Sequence, residues 1–111
     1  MFKSGQRARL YLNNIVVGEV VVQRSEDSWA HGEFEPNTAF AKFADTFGRW
    51  SLLMHADPHD EKLSRAAGEE LHEVELELDR LRAKLHFPDS DEWVMCSQVN
   101  IDGPLIEWKL F

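Results

Sequence analysis

The sequence predicts an α+β, two-layer domain: a mainly antiparallel sheet of about six strands with two helices on one face, in the order βββ-αα-βββ. Three observations predict it. The first third of the chain alternates apolar and polar residues, the middle repeats its apolar residues at helical spacing, and the last third returns to alternation. A length of 111 residues suits one domain spanning residues 1–111.

Ala8, Leu10 and Leu12 alternate with Arg7, Arg9 and Tyr11, which reads as a strand with one wet face. Asn13-Asn14 tolerates positive φ, and the β-branched run Ile15–Val22 follows, so a hairpin is expected. A two-residue and a three-residue loop are both compatible with these residues, and the choice flips the face that Glu19 occupies. Gln23–Ser28 reads as a polar turn, and Trp29–Phe34 as a third strand, shortened by Gly32 and closed by Pro36.

Asn37 or Thr38 can cap a helix. Phe40, Phe43, Phe47, Trp50 and Met54 then fall within about 80° of one another on its surface. Pro58 ends the ladder, and Asp57 or Asp60 can cap a second helix whose stripe is Leu63, Ala67, Leu71, Val74 and Leu78. Leu76 points to its wet side. Residues 80–87 fit either state: Leu78, Leu81 and Leu85 continue the helical period, whereas Leu81, Ala83, Leu85 and Phe87 alternate with Arg80, Arg82, Lys84 and His86. The alternation favours a strand. A turn at Pro88–Asp91, a strand Trp93–Ile101, a turn at Asp102–Pro104 and a strand Leu105–Phe111 complete the order.

Composition narrows the classes. Hydrophobic residues make up 43% of the chain, with seven Phe and four Trp, enough for a core without staples. One cysteine excludes an intrachain disulfide and a Cys-based zinc site, and leans towards the cytoplasm. The start carries no apolar run and no stretch nears 18 apolar residues, so neither a signal peptide nor a membrane span is expected. A formal charge of −8 argues against nucleic-acid binding, which needs a basic footprint. That charge is concentrated: residues 57–79 hold nine acidic and two basic side chains, which accounts for −7 of it. Glu69 with Glu73, Glu73 with Glu77, and Glu75 with Asp79 are like-charge pairs one turn apart, each costing about 0.2–0.5 kcal/mol.

Leu10–Gly18, then Trp29-Ala-His-Gly-Glu-Phe-Glu-Pro36 with Phe40 and Phe43, then Ile101-Asp-Gly103 ahead of Glu107-Trp108, form a set. In these the chain resembles a group of small uncharacterised bacterial proteins with a W-x-x-G-x-F-x-P core and a closing I-D-G hairpin. The resemblance spans nearly the whole chain and implies the element order and a bacterial origin. Its motifs concern packing and turns, so it implies no activity and no catalytic residue.

Four groups of residues could carry function. His55, Asp57, His59 and Asp60 are the densest set of potential metal ligands, imidazole and carboxylate suiting a divalent transition metal. Pro58 keeps the two histidines off one regular helical face, and a solvated loop with an Asp cap explains the same residues. Glu69 and His72 have the spacing of half a di-iron helix but lie on the wet face without a second such motif. The acidic helix, 60–79, could meet a basic partner, or simply keep the protein dispersed. Its opposite pole is a basic, aromatic-bearing open sheet face made of Arg7, Arg9, Tyr11, Trp29, His31, Arg80, Arg82, Lys84 and His86. Such a face can hold an anionic small ligand or an acidic protein segment, although one-sided sheets commonly put Arg and Lys outside. Cys96 reads as a small core residue, and Ser28 and Ser51 lack the glycines of a nucleophile elbow.

These residues point to a binding or interaction protein working through its charged surfaces, with no cofactor and no assigned catalytic residue. Its partner is expected to be a protein or a second copy of the chain, since strands at both termini would leave edges to cover. A small metal-dependent enzyme using residues 55–61, or an immunity-type or inhibitor protein with a plugging acidic helix, are the alternatives.

Overall fold

The computed structural model describes residues 4–26, 28–54 and 61–110, without the side chains of 54 and 61–67. Six strands are present: β1 (Arg7–Leu12), β2 (Ile15–Glu26), β3 (Trp29–Pro36), β4 (Ala83–Phe87), β5 (Glu92–Asp102) and β6 (Leu105–Leu110). Between β3 and β4 lie a 3-10 turn at Thr38–Phe40 and two helices, α1 (Ala41–Met54) and α2 (Glu61–Asp79). The order βββ-αα-βββ therefore holds, including the strand reading over 83–87. Arg80 instead closes the helix, its N–H donating to the Glu77 carbonyl at 3.2 Å.

The sheet does not lie open beneath two helices. It closes into a six-stranded antiparallel barrel of order β1-β2-β3-β6-β5-β4. Two ladders overturn the two-layer expectation: Arg9–Leu12 of β1 pair with Ala83–His86 of β4, and Trp29–Glu33 of β3 pair with Leu105–Lys109 of β6. With both terminal strands paired on each side, the edges that suggested a homodimer are gone.

Closure depends on coiling the two longest strands. Val17 and Gln23 of β2 and Ser97 of β5 are extra residues that face no partner across the ladder. Such bulges bend a strand and sharpen its twist. Two of the three bulges are held locally: the Ser97 hydroxyl donates to the Lys109 and Leu110 carbonyls at 3.2 and 3.3 Å. Asn37 reads the Val17 bulge, its N–H meeting the Val17 carbonyl and its side-chain amide the Val16 carbonyl, both at 2.9 Å. The same side chain caps the 3-10 turn by accepting from the Ala39 N–H at 2.9 Å. Gln23–Glu26 thus belong to a strand and not to a turn.

Glycine serves close approach here. A Cβ on Gly32 would stand 2.4 Å from the Val21 carbonyl oxygen, and one on Gly18 would stand 2.3 Å from that of Glu35. Gly32 does not shorten β3, which runs on to Pro36. At the first hairpin Asn13 and Asn14 have φ of 51° and 66°, the two-residue type I′ turn, so Leu12 pairs with Ile15 and Glu19 faces out.

The barrel interior is filled by side chains, among them Leu10, Leu85, Phe87, Ile101, Ile106 and a fully buried Trp108. Cys96 joins them as expected, and burial pushes its thiol up to about 12. Phe47 of α1 and Val74 and Leu78 of α2 belong to the same cluster, with Phe40, Phe43, Trp50 and Leu53 packed around it. Ser51 fastens α1 to the end of β5 by donating to the Asp102 carboxylate at 2.7 Å. Among the described residues no helix is long and apolar enough to cross a membrane.

Candidate binding walls on the barrel exterior

The nine residues read as one basic face are divided by the closed ring. β3 and β4 lie three strands apart in either direction, so Trp29 and His31 stand on the wall opposite Lys84 and His86. Arg7, Arg9 and Tyr11 side with β4. Arg80 and Arg82 lie outside the strand, although Arg82 remains in register through its backbone, which exchanges hydrogen bonds of 3.0 Å with Asn13.

On the first wall, Arg9 is opposite His86 and Tyr11 opposite Lys84, while β5 brings Trp93 opposite His86 and Met95 opposite Lys84. The inward residues Leu10, Leu12, Ala83 and Leu85 fix this orientation. Lys84 Nζ lies 4.9 Å from the Trp93 ring centroid and 5.6 Å from that of Tyr11, and it donates to Asn14 Oδ1 at 2.9 Å. The rings of Tyr11 and Trp93 are 5.1 Å apart, those of His86 and Trp93 4.4 Å. Asp91 Oδ1 lies 2.8 Å from His86 Nε2, which must carry the proton of that bond because the carboxylate only accepts. Asp91 reaches this position with φ of 54°, in the left-handed region.

Not all the charge on this wall is unmet. Arg7 pairs with Glu19 at 3.3 Å. Among the described residues no carboxylate stands within ion-pair distance of Arg9, Arg80, Arg82 or Lys84. Trp93 is 50% exposed and Met95 53%, so the wall offers apolar area between its cations. Neither was among the residues expected from sequence. The signal for Trp93 and Met95 was their alternation with Val94 and Cys96, but the Ser97 bulge resets the parity and hides it.

The second wall is polar and concave. A row runs across four strands, with Arg24 opposite His31, His31 opposite Glu107, and Glu107 opposite Asn100. Asn100 donates to Glu107 Oε1 at 2.9 Å, and His31 Nδ1 lies 3.7 Å from Oε2. Arg24 turns to Glu26 at 3.5 Å. Trp50 of α1 lines both of two depressions beside this row. One, of about 380 Å³, holds His31, Arg24 and Asp102; the other, of about 360 Å³, holds Trp29, Glu75 and Gln98. Asn100 and Glu107 line both.

The acidic helix carries exposed Glu69, Glu70, Glu73, Glu75, Glu77 and Asp79. Arg49 of α1 reaches Glu70 at 3.5 Å and Glu77 at 3.8 Å, which offsets part of their repulsion. His55, Asp57, His59 and Asp60 lie outside the described residues, and no metal-binding group of three or more occurs among those described.

Comparisons with protein-family models, with curated proteins and with solved structures find no match to this chain.

Proposed function

We propose that this chain is a binding protein that takes an acidic segment of a partner protein on the outer wall of β1, β4 and β5. The observation that supports the reading best is the convergence there of Arg9, Tyr11, Lys84 and His86 with half-exposed Trp93 and Met95. Aromatic residues, Met and Arg are the types that protein interfaces concentrate, because each combines apolar area with a directional or polarizable contact. The half-exposed Trp93 and Met95 on adjacent pairs of this wall offer apolar area of the kind a macromolecular surface covers. Arg80 and Arg82 extend its positive charge towards α2.

A chain of formal charge −8 repels acidic partners at long range. At 0.1 M salt, screening confines such forces to about 10 Å, which leaves the local cations to decide the encounter. The exposed carboxylates of α2 form the second charged surface, and a second copy presenting α2 is one partner that would satisfy the wall.

The test is fluorescence anisotropy of a labelled Glu-rich peptide interspersed with leucine, from about 0.1 to about 1 M salt, over which the Debye length falls from about 10 Å to about 3 Å. Affinity should fall with salt and should fall further in the Arg9→Gln/Lys84→Gln protein, while an unlabelled peptide with Gln in place of Glu should not compete. Equal binding by the variant and the parent would sink the reading. A peptide of residues 61–79 as the tightest ligand would identify the partner as another copy.

A further inference from the structure

We propose that the depression between α2 and the β3–β6–β5 wall is a second, independent site, which holds a free small organic ammonium ion. Its lining joins two indoles, Trp29 and Trp50, to two carboxylates, Glu75 and Glu107, with the amides of Gln98 and Asn100 between them. Among the described residues no Lys or Arg lines it. An anion would meet two carboxylates against the single rim cation Lys109, and a neutral apolar group would strand them against it. A cation is the ligand that satisfies both kinds of wall, since the indole face attracts positive charge through its quadrupole.

The carboxylate at the centre is held in place. Asn100 donates to Glu107 Oε1 at 2.9 Å, fixing one oxygen and leaving Oε2 turned towards His31 at 3.7 Å. Lys109 Nζ lies 5.9 Å from the Trp29 centroid, so this ring already receives a cation from the chain. With Lys109 counted at the rim against Glu75 and Glu107, the local formal charge is still −1. A volume of about 360 Å³ suits a small molecule. The neighbouring depression, which shares Trp50, Asn100 and Glu107 with this one, is lined by Arg24, His31 and Asp102.

The four tryptophans make the test internal. Trp29 and Trp50 line the site, Trp108 is buried in the barrel, and Trp93 lies on β5 seven residues from Asn100, roughly 23 Å along an extended strand. The ¹⁵N-labelled chain is titrated with choline and, separately, with 3,3-dimethylbutan-1-ol, its uncharged isostere. Choline should move the indole signals of Trp29 and Trp50 and leave Trp93 and Trp108 in place, and the alcohol should move none. Glu107→Gln, which keeps the side-chain shape, should weaken choline about tenfold, equivalent to about 1.4 kcal/mol. Equal effects of choline and the alcohol, or an unchanged affinity in Glu107→Gln with the native spectrum intact, would overturn the proposal. So would a trimethyllysine peptide that moves the two indoles when choline does not, since the ammonium would then be borne by a protein. Loss of acidic-peptide binding at the other wall leaves each of these outcomes unaffected.

Discussion

Lys84 Nζ rests 4.9 Å from the centre of the Trp93 ring, on adjacent strands and without a carboxylate partner among the described residues. The charge is held by the rings of Trp93 and Tyr11 and by the Asn14 amide, not by an ion pair. A lysine so placed stays available to an incoming carboxylate while its stem covers aromatic surface.

Removing that charge while keeping the stem should be mildly destabilising. Lys84→Met is expected to cost about 0.5–1 kcal/mol. In a domain of this size that lowers the melting temperature by roughly 2–4 °C. A double-mutant cycle with Trp93→Leu should return most of that as coupling; additive effects would show that the two side chains merely lie near each other.

Gly32→Ala should be far more damaging than an exposed glycine substitution. The added methyl would meet the Val21 carbonyl oxygen at 2.4 Å, and that oxygen belongs to the ladder. Overpacking of this kind costs about 1–3 kcal/mol. Gly48→Ala in α1, where a Cβ meets nothing within 4 Å, is the control and should stabilise by up to about 1 kcal/mol. Urea unfolding of both variants decides it, and equal midpoints would contradict the close approach of β2 and β3.

Cys96 gives the fold a pH dependence of predictable sign. Its pKa is raised by burial from 9.0 to about 12, so the folded chain keeps the proton that the unfolded chain loses. The contribution is fully present below pH 9 and is lost as pH rises towards about 12. Chemical denaturation between those limits should show stability falling with pH, with a shallower fall in Cys96→Val. At pH 8 the native thiol should resist iodoacetamide that modifies the unfolded chain. Rapid native alkylation would place the thiol outside the core.

Arg49 should matter most at low salt. It bridges Glu70 and Glu77 at 3.5 and 3.8 Å, and all three side chains are partly exposed, so Arg49→Ala is expected to cost about 0.2–1 kcal/mol. The difference should shrink at 1 M salt, where screening reaches about 3 Å. A loss independent of salt would assign Arg49 a packing role instead.

Local order was legible in the sequence, and closure was not. The alternation of Ala8, Leu10 and Leu12, the Asn13-Asn14 turn, and the choice of strand over helix at 83–87 all follow from neighbours within a few residues. The ladders that close the barrel join Arg9 to His86 and Trp29 to Lys109, pairs about 80 residues apart whose side chains carry no local mark of each other. The bulges that permit closure are single residues, Val17, Gln23 and Ser97, each chemically ordinary. An open sheet therefore seemed to place Trp29 and His31 beside Lys84, where the ring puts them on opposite walls. That Lys84 and His86 share one side of β4 was readable from their alternation with Ala83, Leu85 and Phe87. The aromatic half depended on register, which only the ladder of β4 with β5 supplies.

The central claim is that the β1–β4–β5 wall binds acidic protein segments. Titrating the ¹⁵N-labelled chain with the Glu-rich peptide, and following its indole and backbone signals, tests it most directly. Trp93 and its neighbours Tyr11, Lys84 and His86 should move together, with Trp108 fixed, and that response should vanish in Arg9→Gln/Lys84→Gln. A peptide that binds while Trp93 stays in place, or that moves it equally in the variant, would rule out acidic-segment binding at the β1–β4–β5 wall.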